Sequence, residues 1–122
     1  MDGSARVGLI EYLESALKGS QLRSKVIANN IANIGTDGFR RSTVDFEQML
    51  GDAMESHRAG DLANVAPAIQ QPLATAVNEY GSDVDLDAEF GEMVKNTAKD
   101  KVYMRLLIRT YRQTDQAMQT SG

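Results

Sequence analysis

Ala28-Asn29-Asn30-Ile31-Ala32-Asn33-Ile34-Gly35-Thr36-Asp37-Gly38-Phe39-Arg40-Arg41 is the stretch on which the fold of this chain turns. Its first half carries apolar side chains at helical spacing, and its second half stops the helix. Gly35 is placed to be the left-handed residue that closes a helix, and Asp37-Gly38 is a turn dipeptide because glycine takes positive φ without a steric penalty. A helix must therefore arrive from the N-terminal side, and a new element must leave after Arg41.

Upstream, residues 9–34 read as one helix. At about 100° per residue, Leu9, Leu13, Leu17, Ile27, Ile31 and Ile34 share a broad face with Ile10, Ala16 and Ala28. Leu22 and Val26 fall on a different face, and Asn29 and Asn33 continue their row. A helix buried on one side only has no need of that second row, so a second contact surface is expected. Gly19 weakens the middle of the helix by about 1 kcal/mol relative to alanine, which makes the first half dependent on packing.

Downstream, residues 35–58 hold the turn and a short helix. Asp45, with Gln48 three positions later, resembles an N-cap arrangement, and Phe46, Met49, Leu50, Ala53 and Met54 recur at helical spacing toward His57. Residues 59–84 contain both prolines, Pro67 and Pro72, with Gly60 and Gly81, small or polar side chains and no sustained period of 3.6 or 2, and read as a flexible linker. A linker of that length suits a segment that orders on binding or belongs to an extended assembly.

Residues 85–119 read as one long helix, with Asp85 as N-cap and Asp87 and Glu89 in the first turn, where the helix dipole favours anions. Phe90, Met93, Val94, Thr97, Met104, Ile108, Tyr111 and Met118 form its first stripe, and positions 90, 97, 104, 111 and 118 recur every seven residues as a coiled-coil seam does. Val102, Tyr103, Leu106 and Leu107 add an apolar patch on the opposite side. The expected fold is all-α: a single unit over residues 1–122, with long terminal helices packed as an antiparallel coiled-coil-like pair, a short middle helix and a long irregular central segment.

Composition narrows the function. A chain of 122 residues supports one small folding unit. Aromatics make up 6% and tryptophan is absent, so a thick core is not expected, and the six methionines suit helix seams and adaptable contacts better than a rigid pocket. The net charge is -4 and the basic residues are scattered apart from Arg40-Arg41, which argues against nucleic acid as a partner. Without cysteine there is no disulfide, thiolate metal site or thiol nucleophile. Val7 to Leu17 is interrupted by Glu11 and Glu14 and lacks a cleavage site, so it reads neither as a signal peptide nor as a membrane span.

The stretch from Ala28 to Arg41 resembles the ANNIANxxTPGYKR signature of flagellar rod, hook and related axial proteins. It departs at Asp37, where that family usually has proline, and at Phe39, where it usually has tyrosine. Val44-Asp45-Phe46-Glu47, and Val84-Asp85-Leu86-Asp87-x-Glu89 with Met93 and Asn96, are similar to the proximal-rod FlgB type of flagellar basal-body rod protein. The SRSYQAN-like ending of the longer axial proteins is absent. The resemblance covers about 9–57 and 84–119. It implies a structural subunit whose terminal helices form a coiled coil and whose copies stack into the hollow, torque-transmitting rod. It also implies contacts with other rod proteins, with the export gate and with the membrane ring at the base, and type III export without a cleaved signal.

On that basis Leu22, Val26, Asn29, Asn30, Asn33, Phe39, Arg40, Val102, Leu106 and Leu107 are expected at subunit contacts. The simpler alternative for the three asparagines is solvated helix surface, and for Arg40 and Arg41 a solvated pair worth about 0–1 kcal/mol. Asp83-x-Asp85-x-Asp87 fails as a calcium loop, because its sixth position is Ala88 and its twelfth Val94, and helix capping explains it better. His57, the only histidine, reads as a solvated side chain. No catalytic, cofactor-binding or metal-binding set is expected, and no small-molecule substrate. A free-standing helical adaptor that binds one protein partner is the competing possibility.

Overall fold

The computed structural model describes residues 2–56, 58, 60–74 and 76–120. Along the chain it contains α1 (Gly3–Ala32), β1 (Thr43–Asp45), α2 (Glu47–Ser56), β2 (Ala68–Gln70) and α3 (Leu86–Thr120). Helix dominates, and the most extensive packing is between α1 and α3. His57 lies outside the described residues.

Helix α1 starts well before Leu9. The Asp2 carboxylate accepts from the Ala5 N–H at 2.7 Å, which satisfies one of the free donors of the first turn. The helix ends at Asn33, whose φ of -105° and ψ of 14° leave the helical region. Gly35 does not close the helix in the left-handed conformation. The positive φ falls on Gly38, at 72°. There the Gly38 N–H donates to the Tyr80 carbonyl at 2.8 Å, tying the turn to the segment that leads into α3.

Helix α3 has 35 residues and is about 52 Å long at 1.5 Å per residue. Asp85 caps it as expected, its carboxylate accepting from the Ala88 N–H at 3.2 Å. It runs antiparallel to α1: Asn30 meets Glu89, Ser24 meets Asn96, Ser20 meets Asp100 and Glu14 meets Tyr111. The residues of α3 that lose solvent are Glu89, Met93, Asn96, Asp100, Tyr103, Leu107, Thr110, Thr114 and Ala117. They alternate in steps of four and three, which is a heptad seam. The period agrees with the sequence, but the seam lies on a different row. Phe90, Val94, Met104, Ile108 and Met118, expected to face the partner helix, face outward, and Tyr111 is 43% exposed with its hydroxyl turned to Glu14 of α1.

The core is small. Ala16, Val44, Phe46 and Leu50 form its buried centre, flanked by Tyr12, Leu22, Val26, Leu62, Val65 and Tyr103. Phe46 is completely buried and rests on Gly19, where an added Cβ would come within 2.5 Å of the ring. Gly19 therefore admits Phe46 to the surface of α1, and its propensity cost is offset by a buried aromatic worth about 1.5–3 kcal/mol. The Arg23 guanidinium stacks on the same ring, 4.6 Å from its centroid.

Two local expectations change. Asp45 does not cap α2. It lies in β1, and the first turn of α2 closes through the Leu50 N–H to the Phe46 carbonyl at 2.9 Å. The central segment is not wholly irregular, since β2 pairs antiparallel with β1, Val44 opposite Ile69. Strands of three residues are too short to show a period of two. The segment is also pinned to α1, where the Ser15 hydroxyl donates to the Leu62 carbonyl at 2.6 Å.

Candidate functional site

The signature stretch builds a buried polar lock. Asn30 is fully buried on α1; its amide donates to the Ser42 carbonyl at 2.8 Å and its oxygen accepts from the Ser42 N–H at 2.9 Å. The same amide reaches Glu89 of α3 at 3.2 Å. Glu89, also fully buried, accepts from Arg41 at 2.6 Å. Asp83 accepts from Arg40 at 3.1 Å and from the Arg41 N–H at 2.5 Å. One face of α1, the strand after the turn and the start of α3 are thus held together by paired charges. Burial acts to raise the Asp83 pKa, but the Arg41 N–H and the Arg40 guanidinium together outweigh it, and the carboxyl titrates below its ordinary range.

A second lock lies along the core. Arg23 donates to the Val44 carbonyl at 2.6 Å and to Glu47 at 2.7 Å, and its hydrogen bond to Glu47 is the main reason that this carboxyl titrates at about 2. Further along the seam, Asn96 donates to the Ser20 carbonyl at 2.7 Å and to the Ser24 hydroxyl at 2.8 Å. Polar contacts of this kind fix the register of two helices where a purely apolar stripe could slide.

These locks account for several residues expected at subunit contacts. Asn30 and Leu107 are buried within the chain, so their side chains present no surface to a neighbour. Leu22 and Val26 are half-buried and pack against the core. Arg40 is occupied by Asp83 of its own chain. Asn29 stays exposed, and its carbonyl accepts from the Asn33 side chain at 2.8 Å. Phe39 is half-buried at the turn. Val102 and Leu106 remain open, 53% and 41% exposed.

The outward side of α3 is a long apolar row that one copy leaves uncovered. Phe90, Val94, Met104, Ile108 and Tyr111 are between 38% and 70% exposed, and Val102 and Leu106 are exposed on a different side of the same helix. Water-facing apolar side chains in a long row mark contact surfaces more often than isolated ones do. Periodicity alone could not separate this row from the seam. The signal that could have done so was the polar set Glu89, Asn96 and Asp100, whose spacing of seven and four matches burial and whose chemistry demands partners.

Among the described residues no group of three or more His, Cys, Asp or Glu is placed to hold a metal ion. No helix there is long and apolar enough to cross a membrane. The groove lined by Arg23, Arg41, Glu47, Glu92 and Lys99 has its cations already engaged: Arg23 and Lys99 with Glu47, Arg41 with Glu89.

The profile of the flagella basal body rod protein family matches residues 10–40, which span most of α1, its C-terminal end and the turn. The flagellar basal body rod protein FlgB of Bacillus subtilis (strain 168) is 32% identical over 98 residues, covering 73% of this chain and 76% of that protein. FlgB of Borrelia hermsii is 31% identical over 93 residues, 62% of this chain and 69% of that protein. FlgB of Borreliella burgdorferi is 29% identical over 105 residues, 71% of this chain and 78% of its own.

Proposed function

Because the chain belongs to the FlgB family of flagellar basal body rod proteins, we propose that it is a structural subunit of the proximal rod that works by assembly and not by catalysis. The observation that carries this reading is the outward apolar row of α3. One copy uses its polar seam to join α1 to α3, and it leaves Phe90, Val94, Met104 and Ile108 for neighbours. A locked helical pair with a free apolar side is a suitable unit for a wall of packed helices, since each copy is rigid in register and incomplete in burial.

Its partners on this reading are other rod proteins and further copies of itself, with the export gate and membrane ring where the rod begins. Its place is the basal body, reached through the flagellar export apparatus without a cleaved signal. Asn29, Phe39, Val102 and Leu106 are exposed or half-buried and remain contact residues in this proposal. Asn30, Arg40 and Leu107 act indirectly, by holding α1, the turn and α3 in the conformation that neighbours meet.

Deleting the gene from its source organism tests the reading. Loss of the rod and of flagella, restored by the full chain in trans, is expected. A deletion strain that still assembles complete basal bodies would refute it.

A further inference from the structure

Two uncovered surfaces of the chain are complementary. On α3, Arg105, Arg109 and Arg112 follow one another at helical spacing around Ile108, and all four side chains are exposed. None of the three arginines has an ion-pair partner among the described residues. On α2 and the segment after it, Met49, Ala53 and Val65 line an open groove flanked by Asp52 and Asp61. Met49 is 40% exposed, Asp52 has no ion-pair partner among the described residues, and Asp61 accepts from the Ser56 hydroxyl at 2.6 Å. One surface is a cationic ridge with an apolar centre, and the other is an anionic groove with an apolar floor.

Both lie toward the same end of the molecule. Ala53 and Met54 share a hollow with Ser4, Val7, Gly8 and Glu11 at the start of α1. Tyr111 donates to Glu14 of α1, which places the arginine ridge at that end as well. A ridge and a groove at one level, on different elements, suit side-by-side neighbours.

We propose that the Arg105–Arg112 ridge of one copy docks in the Asp52–Asp61 groove of a second copy of this chain. The contact joins unlike patches, the ridge of one copy meeting the groove of the next, so a copy whose ridge is docked still has its own groove to offer. Charge selects this pairing over ridge against ridge, which would oppose three unpaired arginines with three others. The proposal deepens the rod reading and rests on it for the biological setting, but the contact is a property of the chain itself.

The absence of cysteine gives a clean test. Full-length Ala53→Cys and Ile108→Cys chains carrying different tags are mixed and oxidised, both as purified protein and in basal bodies from cells expressing the two together. Mixed dimers exceeding both like-with-like dimers are expected. Arg109→Glu with Arg112→Glu should lower their yield roughly tenfold, the equivalent of about 1.4 kcal/mol of coupling, and Asp52→Arg with Asp61→Arg on the other chain should restore it. Predominant pairing of two Ile108→Cys chains, cross-linking only to a different protein, or no cross-link with both chains present in the basal body would overturn the contact and leave the rod reading intact. Mixed dimers of the purified chains, with the chain absent from basal bodies, would sustain the contact and overturn the rod reading.

Discussion

Replacing Gly19 with alanine sets two effects of opposite sign against each other. Alanine is a better helix former by about 0.8–1.0 kcal/mol, so propensity alone predicts stabilisation. The new methyl group, however, would fall 2.5 Å from Cγ of Phe46 and 2.6 Å from Cδ1 and Cδ2. Carbon atoms prefer about 3.5–4.0 Å, so the ring has to retreat by about 1 Å. It is fully buried and stacked against Arg23, and overpacking of this kind costs about 1–3 kcal/mol. With three ring atoms in collision the upper part of that range applies, and the net loss is about 1–2 kcal/mol. Gly51→Ala in α2 is the control, because nothing lies within 4 Å of its added Cβ, and it should gain up to about 1 kcal/mol. Urea unfolding followed by circular dichroism separates the two. With a slope of about 2 kcal/mol per molar, Gly19→Ala should lower the midpoint by roughly 0.5–1 M while Gly51→Ala raises it. Phe46→Leu should be less damaging in the Gly19→Ala background than alone, by a coupling of about 0.5–3 kcal/mol. A midpoint that rises for Gly19→Ala as it does for Gly51→Ala would refute the seating of Phe46 on α1.

Arg41→Ala should destabilise the chain by about 3–5 kcal/mol and Arg40→Ala by less, because the first strips a fully buried Glu89 of the one cation it meets among the described residues and leaves it the Asn30 amide at 3.2 Å, whereas Asp83 keeps the Arg41 N–H when Arg40 is lost; equal thermal shifts for the two variants would contradict the buried lock. The Glu47 carboxyl should titrate at about 2 against an ordinary 4.5, by carbon-detected NMR, and return toward the ordinary value in Arg23→Gln. A folded-state pKa below the unfolded one means that the pair stabilises fully above about pH 4.5 and that the benefit fades as pH falls toward 2; with a side chain 41% exposed, the effect stays under about 1 kcal/mol. Mixing the purified chain with other rod proteins should increase helicity, chiefly in α3 beyond Tyr103, where Leu107 is the one buried large apolar side chain among the described residues. Unchanged circular dichroism on mixing, with a complex of fixed small size by light scattering, would instead favour an adaptor.

The long helices were legible from the sequence because apolar spacing at 3.6 residues survives whatever the helix packs against. The face that α3 turns to α1 was not, because its seam contains Glu89, Asn96, Asp100 and Thr110, and a search for apolar periodicity selects the row beside it. Glu89, Asn96 and Asp100 are tolerable inside because Arg41, Asn30, Ser20 and Ser24 meet them, and these partners are 48 to 80 positions away in sequence, while Thr110 donates to the Leu106 carbonyl of its own helix. Gly19 read as a weak point for the same reason: the ring it admits arrives from Phe46, on another element. Asn30 and Arg40 were recognisable from the signature, but their hydrogen bonds to Glu89 and Asp83 within the chain were not, because those partners lie 59 and 43 positions away. What the sequence did carry was the set Glu89, Met93 and Asn96, three successive seam positions that are similar to the proximal-rod type.

Imaging of the intact basal body at side-chain resolution bears most directly on the central claim. The chain should appear in the rod with Phe90, Val94, Met104, Ile108 and Tyr111 covered by neighbouring subunits, and with the Asn30–Glu89–Arg41 lock preserved inside each copy. A rod without this chain, or one in which that row of α3 faces water, would contradict it.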